Sequence, residues 1–289
     1  MRYPDNFLGM EEDWAKPYDK SKVVILPAPY EGTVSYGSGT AKGPSAILEA
    51  SKQVELYDEE LGREFYEIGI WTEDELKAEK TPEKMVDSVY DAAKKHVNAG
   101  KFLVMLGGEH SIPTGTVKAY KERYPKLSVL HFDAHADLRE EYHDTKYSHA
   151  AVMSRVREIC PAVQVGIRSL SKDEADKAKN NKYDIFWAKD IHDNEKWFDK
   201  AISKLSDDVY ITFDIDVFDP SIMSSTGTPE PGGLSWYLVL DFLKEVFRKK
   251  NVVGFDLVEL APIEGRHDCD FLAARLVHKV IGYKFFGKK

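Results

Sequence analysis

Cysteine is scarce in this sequence: Cys160 and Cys269 are the only two among 289 residues. Two isolated cysteines make no disulfide framework, which argues against a stapled secreted scaffold and predicts two buried thiols in a reducing compartment. Long apolar runs are missing as well. No stretch approaches the roughly 20 apolar residues that a spanning helix needs, and Met1 to Lys20 mixes charged and aromatic residues without the apolar centre of a signal peptide. These absences predict no membrane partner and a cytoplasmic location. Positive charge is not in excess: 49 acidic residues outnumber 40 basic ones, for a net charge of −9. A chain of that sign has no general field to hold phosphate backbones, so nucleic acid is not expected as a partner. Repeats, low-complexity segments and long polar linkers are also lacking, which favours one domain over residues 1–289, with residues 1–20 draped over its surface.

What is present is the mixture of a soluble globular protein, 43% hydrophobic and 31% charged. Short β-branched apolar runs alternate with amphipathic stretches, the pattern of βαβ units and a three-layer α/β domain with a parallel sheet. Val23 to Leu26, Phe102 to Leu106, Leu127 to Phe132, Val163 to Val165, Val209 to Phe213 and Val252 to Leu257 read as strands buried on both faces, and Asp184 to Trp187 as a weaker one. Thr81 and Pro82 open a helix that keeps apolar spacing until Gly100, Ser171 and Glu174 form a capping box, Ser235 precedes a helix over Trp236 to Lys249, and Phe271 to Ile281 closes the chain as a helix. The glycine-rich segment Tyr30 to Pro44 reads either as a flexible surface loop or as a border of the active site.

The unusual polar residues follow the predicted strands, where parallel α/β sheets place their ligand sites. Gly107-Gly108-Glu109-His110 follows one strand, Asp133-Ala134-His135-Ala136-Asp137 a second and Asp214-Ile215-Asp216 a third. In extended backbone, side chains at i, i+2 and i+4 share a side, so Asp133, His135 and Asp137 are expected to project together, as are Asp214 and Asp216. Unpaired carboxylates at the ends of apolar strands would cost several kcal/mol each, and a pair of divalent cations removes that cost. Four carboxylates and two neutral imidazoles balance two such ions, which can activate water when roughly 3.5 to 4 Å apart. Oxygen and imidazole donors without thiolate suit Mn²⁺.

Together with Tyr147-Ser148-His149, Phe213 to Pro220, Thr226 to Gly233 and Val258-Glu259, these motifs resemble the ureohydrolase family, which includes arginase and agmatinase. They occur in the family's order along nearly the whole chain. The resemblance implies a single arginase-like α/β/α domain with a mainly parallel eight-stranded sheet, in a homo-oligomer, trimeric or hexameric. It implies that Asp133 and Asp214 bridge two Mn²⁺ ions, that His110 and Asp137 complete one site, and that His135 and Asp216 complete the other. It further implies that Asp137 relays a proton to the departing amine, that His149 is a general acid/base, and that Glu259 orients the guanidinium. Glu109 reads as a support for a ligand, Glu230 as part of a structural loop, and His96, His131, His143, His192, His267 and His278 as structural or solvated.

The reaction so implied is hydrolysis of a guanidino group to urea and an amine. Lys146 to His149 and Thr228 to Gly233 look more like agmatinases than arginases, which points to agmatine, yielding putrescine in polyamine biosynthesis. Arg139, where arginases resemble one another in using Asn, keeps guanidino acids such as 4-guanidinobutyrate and 3-guanidinopropionate open, with arginine behind them. Two other classes share the features in part: a single-zinc deacetylase-like amidohydrolase, which a count of metal ions separates, and a non-catalytic binding protein, which would be expected to have lost ligands.

Overall fold

The computed structural model describes residues 5–192 and 194–287. The chain enters its sheet at β1 (Val23–Ala28), passes through α1 (Gly43–Ser51) and a small antiparallel hairpin of β2 (Tyr57–Asp58) and β3 (Arg63–Glu64), and returns as β4 (Ile70–Thr72). Helix and strand then alternate through α2 (Pro82–Asn98), β5 (Phe102–Gly107), α3 (Pro113–Arg123), β6 (Ser128–Phe132), α4 (Val152–Ile159), β7 (Ala162–Ile167), α5 (Lys172–Asn180) and β8 (Asp184–Trp187). The short α6 (Ala188–Ile191) and α7 (Phe198–Lys204) lead into β9 (Asp208–Asp214), followed by α8 (Trp236–Lys249), β10 (Asn251–Val258) and α9 (Asp268–Phe286).

Local signals explain these boundaries. The Thr81 hydroxyl accepts the Lys84 N–H and Pro82 opens α2, while Ser171 and Glu174 form the full capping box of α5. All seven apolar runs expected as strands are strands, with bounds shifted by two residues at most. The edge strand β4 and the β2–β3 hairpin carry no such signal, because two or three residues are too short to display a period.

Eight strands form one sheet in the order β4-β1-β5-β10-β9-β6-β7-β8, and every pairing in it is parallel. Alternation along each strand feeds two apolar layers. From β1, Val23 and Ile25 join Val246 of α8 and Val277 of α9 on one face, whereas Val24 and Leu26 join Val97 of α2 and Val117 of α3 on the other. The chain leaves β5 and resumes at β6 three positions away, a gap later filled by β9 and β10. Four central strands therefore end side by side at a topological switch point, where α/β sheets open a crevice.

Cys160 and Cys269 are both buried free thiols. Among the described residues no helix is long and apolar enough to cross a membrane. The N-terminal segment expected to drape over the surface is anchored by apolar contacts. Phe7, Leu8 and Met10 are buried in the same cluster as Ile47 and Ile70, and backbone N–H groups of Phe7 and Leu8 donate to Thr72 Oγ1 (3.0 Å) and Ser51 Oγ (2.9 Å). Sequence polarity hid this, because three apolar residues within a charged segment show no periodicity; residues 1–4 lie outside the described residues. Phe7→Ala is expected to lower the unfolding free energy by about 3 kcal/mol or more in urea titration, as for other buried Phe→Ala changes; a loss below about 0.5 kcal/mol, the range of surface substitutions, would show the segment to be a mere covering.

Candidate metal centre

Each central strand delivers its polar residues through a different local device. After β5, Gly108 passes so close to Tyr30 that a Cβ there would stand 2.0 Å from the Tyr30 carbonyl oxygen, so only glycine fits. The Glu109 N–H donates to that oxygen at 2.8 Å, and the next residue, His110, turns inward. Its Nδ1 lies 3.1 Å from Asp133 Oδ2, 3.4 Å from Asp137 Oδ2 and 3.2 Å from Asp214 Oδ2.

The run after β6 keeps only part of the extended geometry expected from alternating spacing: His135 forms an isolated parallel bridge with Ser169. The strand ends at Phe132, Asp133 Oδ1 accepts the His135 N–H at 2.5 Å, and Asp137 adopts a left-handed conformation with φ of 52°. The run thus bends at Ala134 and again at Asp137, the latter in a backbone region uncommon outside glycine. The Asp214–Asp216 pair departs from the expectation in the same way: Asp214 ends β9, and its carboxylate accepts the Asp216 N–H at 2.9 Å to start a 3-10 turn. Asp216 Oδ1 accepts the Ala134 N–H at 2.9 Å, tying the two motifs together, and Asp216 Oδ2 lies 2.8 Å from His135 Nδ1. All six expected ligand residues thus meet in one place, with Asp133 between a His110–Asp137 group and a His135–Asp216 group and Asp214 joined through His110.

The donor set fits divalent cations. Asp133, Asp137, Asp214 and Asp216 are buried. Burial, reinforced by neighbouring carboxylates, pushes Asp137 and Asp214 well above the ordinary carboxylate range. Burial acts in the same sense on Asp133, but His131, His110 and His135 outweigh it and hold its carboxyl well below that range. Burial also disfavours charged His110, yet the adjacent Asp133 and Asp214 carboxylates raise it well above an ordinary imidazole. Without a cation, the site must borrow protons to offset its negative charge. His110 Nδ1 is buried without a satisfied hydrogen bond and faces three carboxylate oxygens, a placement that suits a ligand nitrogen and is repulsive for a lone pair facing anions alone.

Glu259 follows β10 with φ of 66°, and its Oε1 accepts the His110 N–H at 2.6 Å. Burial, then the nearby Glu109 charge, pushes it up to about 8. The glycine-rich loop borders the site rather than standing free: Val34 to Gly37 line the cleft above the cluster, together with His135, Asp137, His149, Glu259 and the more distal Arg139, Tyr142 and Glu174. This cleft encloses about 320 Å³. Glu109, as expected, supports the site, with its carboxylate accepting the Gly32 and Thr33 N–H groups at 2.7 and 2.6 Å and the Thr33 hydroxyl at 2.8 Å. Thr33 Oγ1 in turn accepts the His149 N–H at 3.1 Å, and Ser35 Oγ lies 2.9 Å from His149 Nε2. Burial, followed by His110 and His135, lowers His149 to about 4, which keeps its ring neutral.

Two contributors escape motif reading. His131 stands inside the cluster, its Nε2 2.8 Å from Asp133 Oδ2; its position two residues before Asp133 on one strand face was the available signal. Arg168 donates to the carbonyls of Asp216 (2.7 Å), Phe218 (3.2 Å) and Glu230 (2.8 Å), pinning the loop after β9; nothing local in the sequence marks it. The Glu230 contact is through its backbone, in line with a structural loop.

The charge imbalance gives a prediction of opposite signs. Asp214, with its folded-state pKa raised, favours folding below its unfolded value and opposes it as pH rises through the folded one. In chelator at neutral pH, Asp214→Asn is therefore expected to melt at or above wild type. In excess Mn²⁺ the order should reverse, with wild type gaining about 5 °C or more and the variant gaining less; a wild-type midpoint indifferent to Mn²⁺ would contradict a cation site.

The sequence model described as the Arginase family matches residues 21–282. An N(1)-aminopropylagmatine ureohydrolase of Synechocystis sp. is 41% identical over 98% of this chain and 97% of its own. An agmatinase of Bacillus anthracis is 34% identical over 95% of this chain and 96% of its own. Among solved structures, the agmatine ureohydrolase of Thermoplasma volcanium superposes with a TM-score of 0.88 at 29% identity, covering 97% of this chain and 94% of that one. With a buried carboxylate–imidazole cluster at the switch point of a parallel eight-stranded sheet, and with these matches along almost its whole length, the chain belongs to the arginase family as a hydrolase of guanidino or amidine compounds.

Proposed function

We propose that this chain is a binuclear manganese ureohydrolase that releases urea from the guanidino end of an agmatine-type amine, with N(1)-aminopropylagmatine preferred over agmatine. The observation that carries the reaction type is the convergence of four buried carboxylates and two imidazoles beside Glu259 at the ends of four adjacent strands. The preference for the longer substrate is supported by relatives of that name in Synechocystis and in Thermus thermophilus, at 41% and 42% identity.

Asp133 and Asp214 would be shared by the two ions, with His110 and Asp137 on one and His135 and Asp216 on the other. Bound there, the cations lower the pKa of water towards neutrality and so supply hydroxide chemistry against a poorly electrophilic guanidinium carbon. The protein's own groups do the rest. Glu259, with one oxygen fixed by the His110 N–H, offers its second oxygen to a guanidinium N–H and gains the positive charge that holds a buried carboxylate ionised. Asp137 holds the proton that the leaving nitrogen needs, so that guanidinium and water become urea and an ammonium. His149, neutral and anchored by Thr33 and Ser35, moves protons between the cleft and solvent. The loop of Val34 to Gly37 limits water around the reacting carbon.

Arg139 bears on the distal end of the substrate. Its guanidinium rests 5.2 Å from the Tyr142 ring centroid, and its Nε lies 3.9 Å from the buried Glu174 carboxylate. Part of its charge is thus answered within the cleft wall, which eases entry of a cationic chain. Its side chain is nevertheless 43% exposed, and that observation favours a guanidino acid as the second reading.

With Mn²⁺ present, kcat/KM for urea release is expected to be at least about 10-fold higher for N(1)-aminopropylagmatine than for agmatine, arginine, 4-guanidinobutyrate or 3-guanidinopropionate, equivalent to roughly 1.4 kcal/mol of discrimination. A maximum at 4-guanidinobutyrate would replace the amine reading by the acid one. Glu259→Gln should lower kcat/KM about 10- to 100-fold, the worth of one charged hydrogen bond, while manganese content stays at the wild-type level. Unchanged kinetics would remove Glu259 from substrate binding.

A further inference from the structure

One residue layer below the cluster, Asp256, Thr212, His131 and Gln164 occupy successive strands in register across β10, β9, β6 and β7. All four are fully buried. Polar side chains in the middle of an apolar parallel sheet are costly unless each finds a partner, and the partners here define which way every hydrogen bond runs.

Asp256 accepts from the Tyr210 hydroxyl (2.6 Å) and the Thr212 hydroxyl (2.8 Å). Thr212 has a single hydroxyl proton. Since that proton goes to Asp256, its oxygen accepts from His110 Nε2 at 3.0 Å, which leaves His110 Nδ1 as the unprotonated nitrogen of the neutral ring, aimed at the carboxylates. At the other end, Arg157 Nη2 donates to Gln164 Oε1 (3.0 Å), so Gln164 presents its amide N–H to His131 Nδ1 (3.1 Å) and to the Ala136 carbonyl (2.9 Å). His131 must then carry its proton on Nε2 and donate it to Asp133 Oδ2 at 2.8 Å. It stands within ligand range of the cluster yet offers a proton there, not a lone pair.

We propose that this in-register polar row is the floor of the metal centre: Asp256 and Thr212 fix His110 as an Nδ1 ligand, while Gln164 and His131 hold the Asp133 carboxylate in place. These four are positioning residues, and the proposal rests on the reading of the cluster as a binuclear site. Fixing the tautomer and ring orientation of a ligand through its second nitrogen is worth about 10- to 100-fold in metal affinity in comparable sites. Tyr210 supplies the internal control, since it shares the Asp256 carboxylate but touches no ligand of the centre.

Manganese binding to the chelated, full-length chain is measured by calorimetric titration for wild type, Thr212→Val, Thr212→Ser and Tyr210→Phe, with folding checked by circular dichroism. Thr212→Val is expected to weaken one of the two ions about 10- to 100-fold, Thr212→Ser to restore wild-type affinity, and Tyr210→Phe to keep that affinity even where it lowers thermal stability. If Thr212→Val does not fold, Thr212→Ala replaces it, as it removes the same hydroxyl without adding a methyl group in its place. Wild-type affinity in Thr212→Val, or in Thr212→Ala where that variant replaces it, overturns the proposal, as does an equal loss in Tyr210→Phe. Failure of the wild-type chain to bind two ions would instead remove the binuclear reading beneath it.

Discussion

Four carboxylates gathered in one buried cluster repel one another, and holding them there is the constraint on which the rest of this structure depends. Interior carboxylates are tolerated when a counter-charge or a proton accompanies them. The upward displacement of Asp137 and Asp214 and the high basicity of His110 and His135 are the protein's answer when only protons are at hand. Two divalent cations answer the same need with fixed charge and leave the histidines free to act as neutral ligands. A cluster of this kind would weaken a fold built for stability alone, so its presence is an argument about function.

The sheet makes such a cluster affordable by supplying rigidity from below. The four central strands end at a common edge because the chain jumps from β5 to β6 and fills the gap last. Each strand end then bends at a polar device rather than running on: a glycine pressed against Tyr30, a carboxylate folded back on His135, a 3-10 turn begun by Asp214. Glu109 binds the glycine-rich loop to the same edge, and Thr33 passes that restraint to His149. His149 and the residues that hold charge are therefore fixed to one scaffold, which is what an orientation-dependent hydrolysis asks of a protein.

Much of this was legible in the sequence because strand interiors and strand ends have opposite chemistry. Continuous runs such as Val209 to Phe213 can only be buried strands, and the acids that follow them stand out against that background. The spacing within Asp133 to Asp137 was a poorer guide, since a fully extended run and the observed bent one both bring the three side chains together. Contacts set by register were not legible at all. Thr212, Asp256 and Gln164 are each ordinary in their own strands, and only the alignment of β7, β6, β9 and β10 puts them under the carboxylate–imidazole cluster. The same holds for Phe7, whose burial depends on α1 and β4 arriving beside it, and for Arg168, whose partners are backbone carbonyls of a distant loop.

The most direct test of the central claim is the number of manganese ions per chain, counted by elemental analysis after gel filtration and located by anomalous diffraction. Two ions are expected in the wild-type chain, one beside His110 and Asp137 and one beside His135 and Asp216, with both lost together in Asp133→Ala. A single ion in the wild-type chain, or two ions retained in Asp133→Ala, would contradict it.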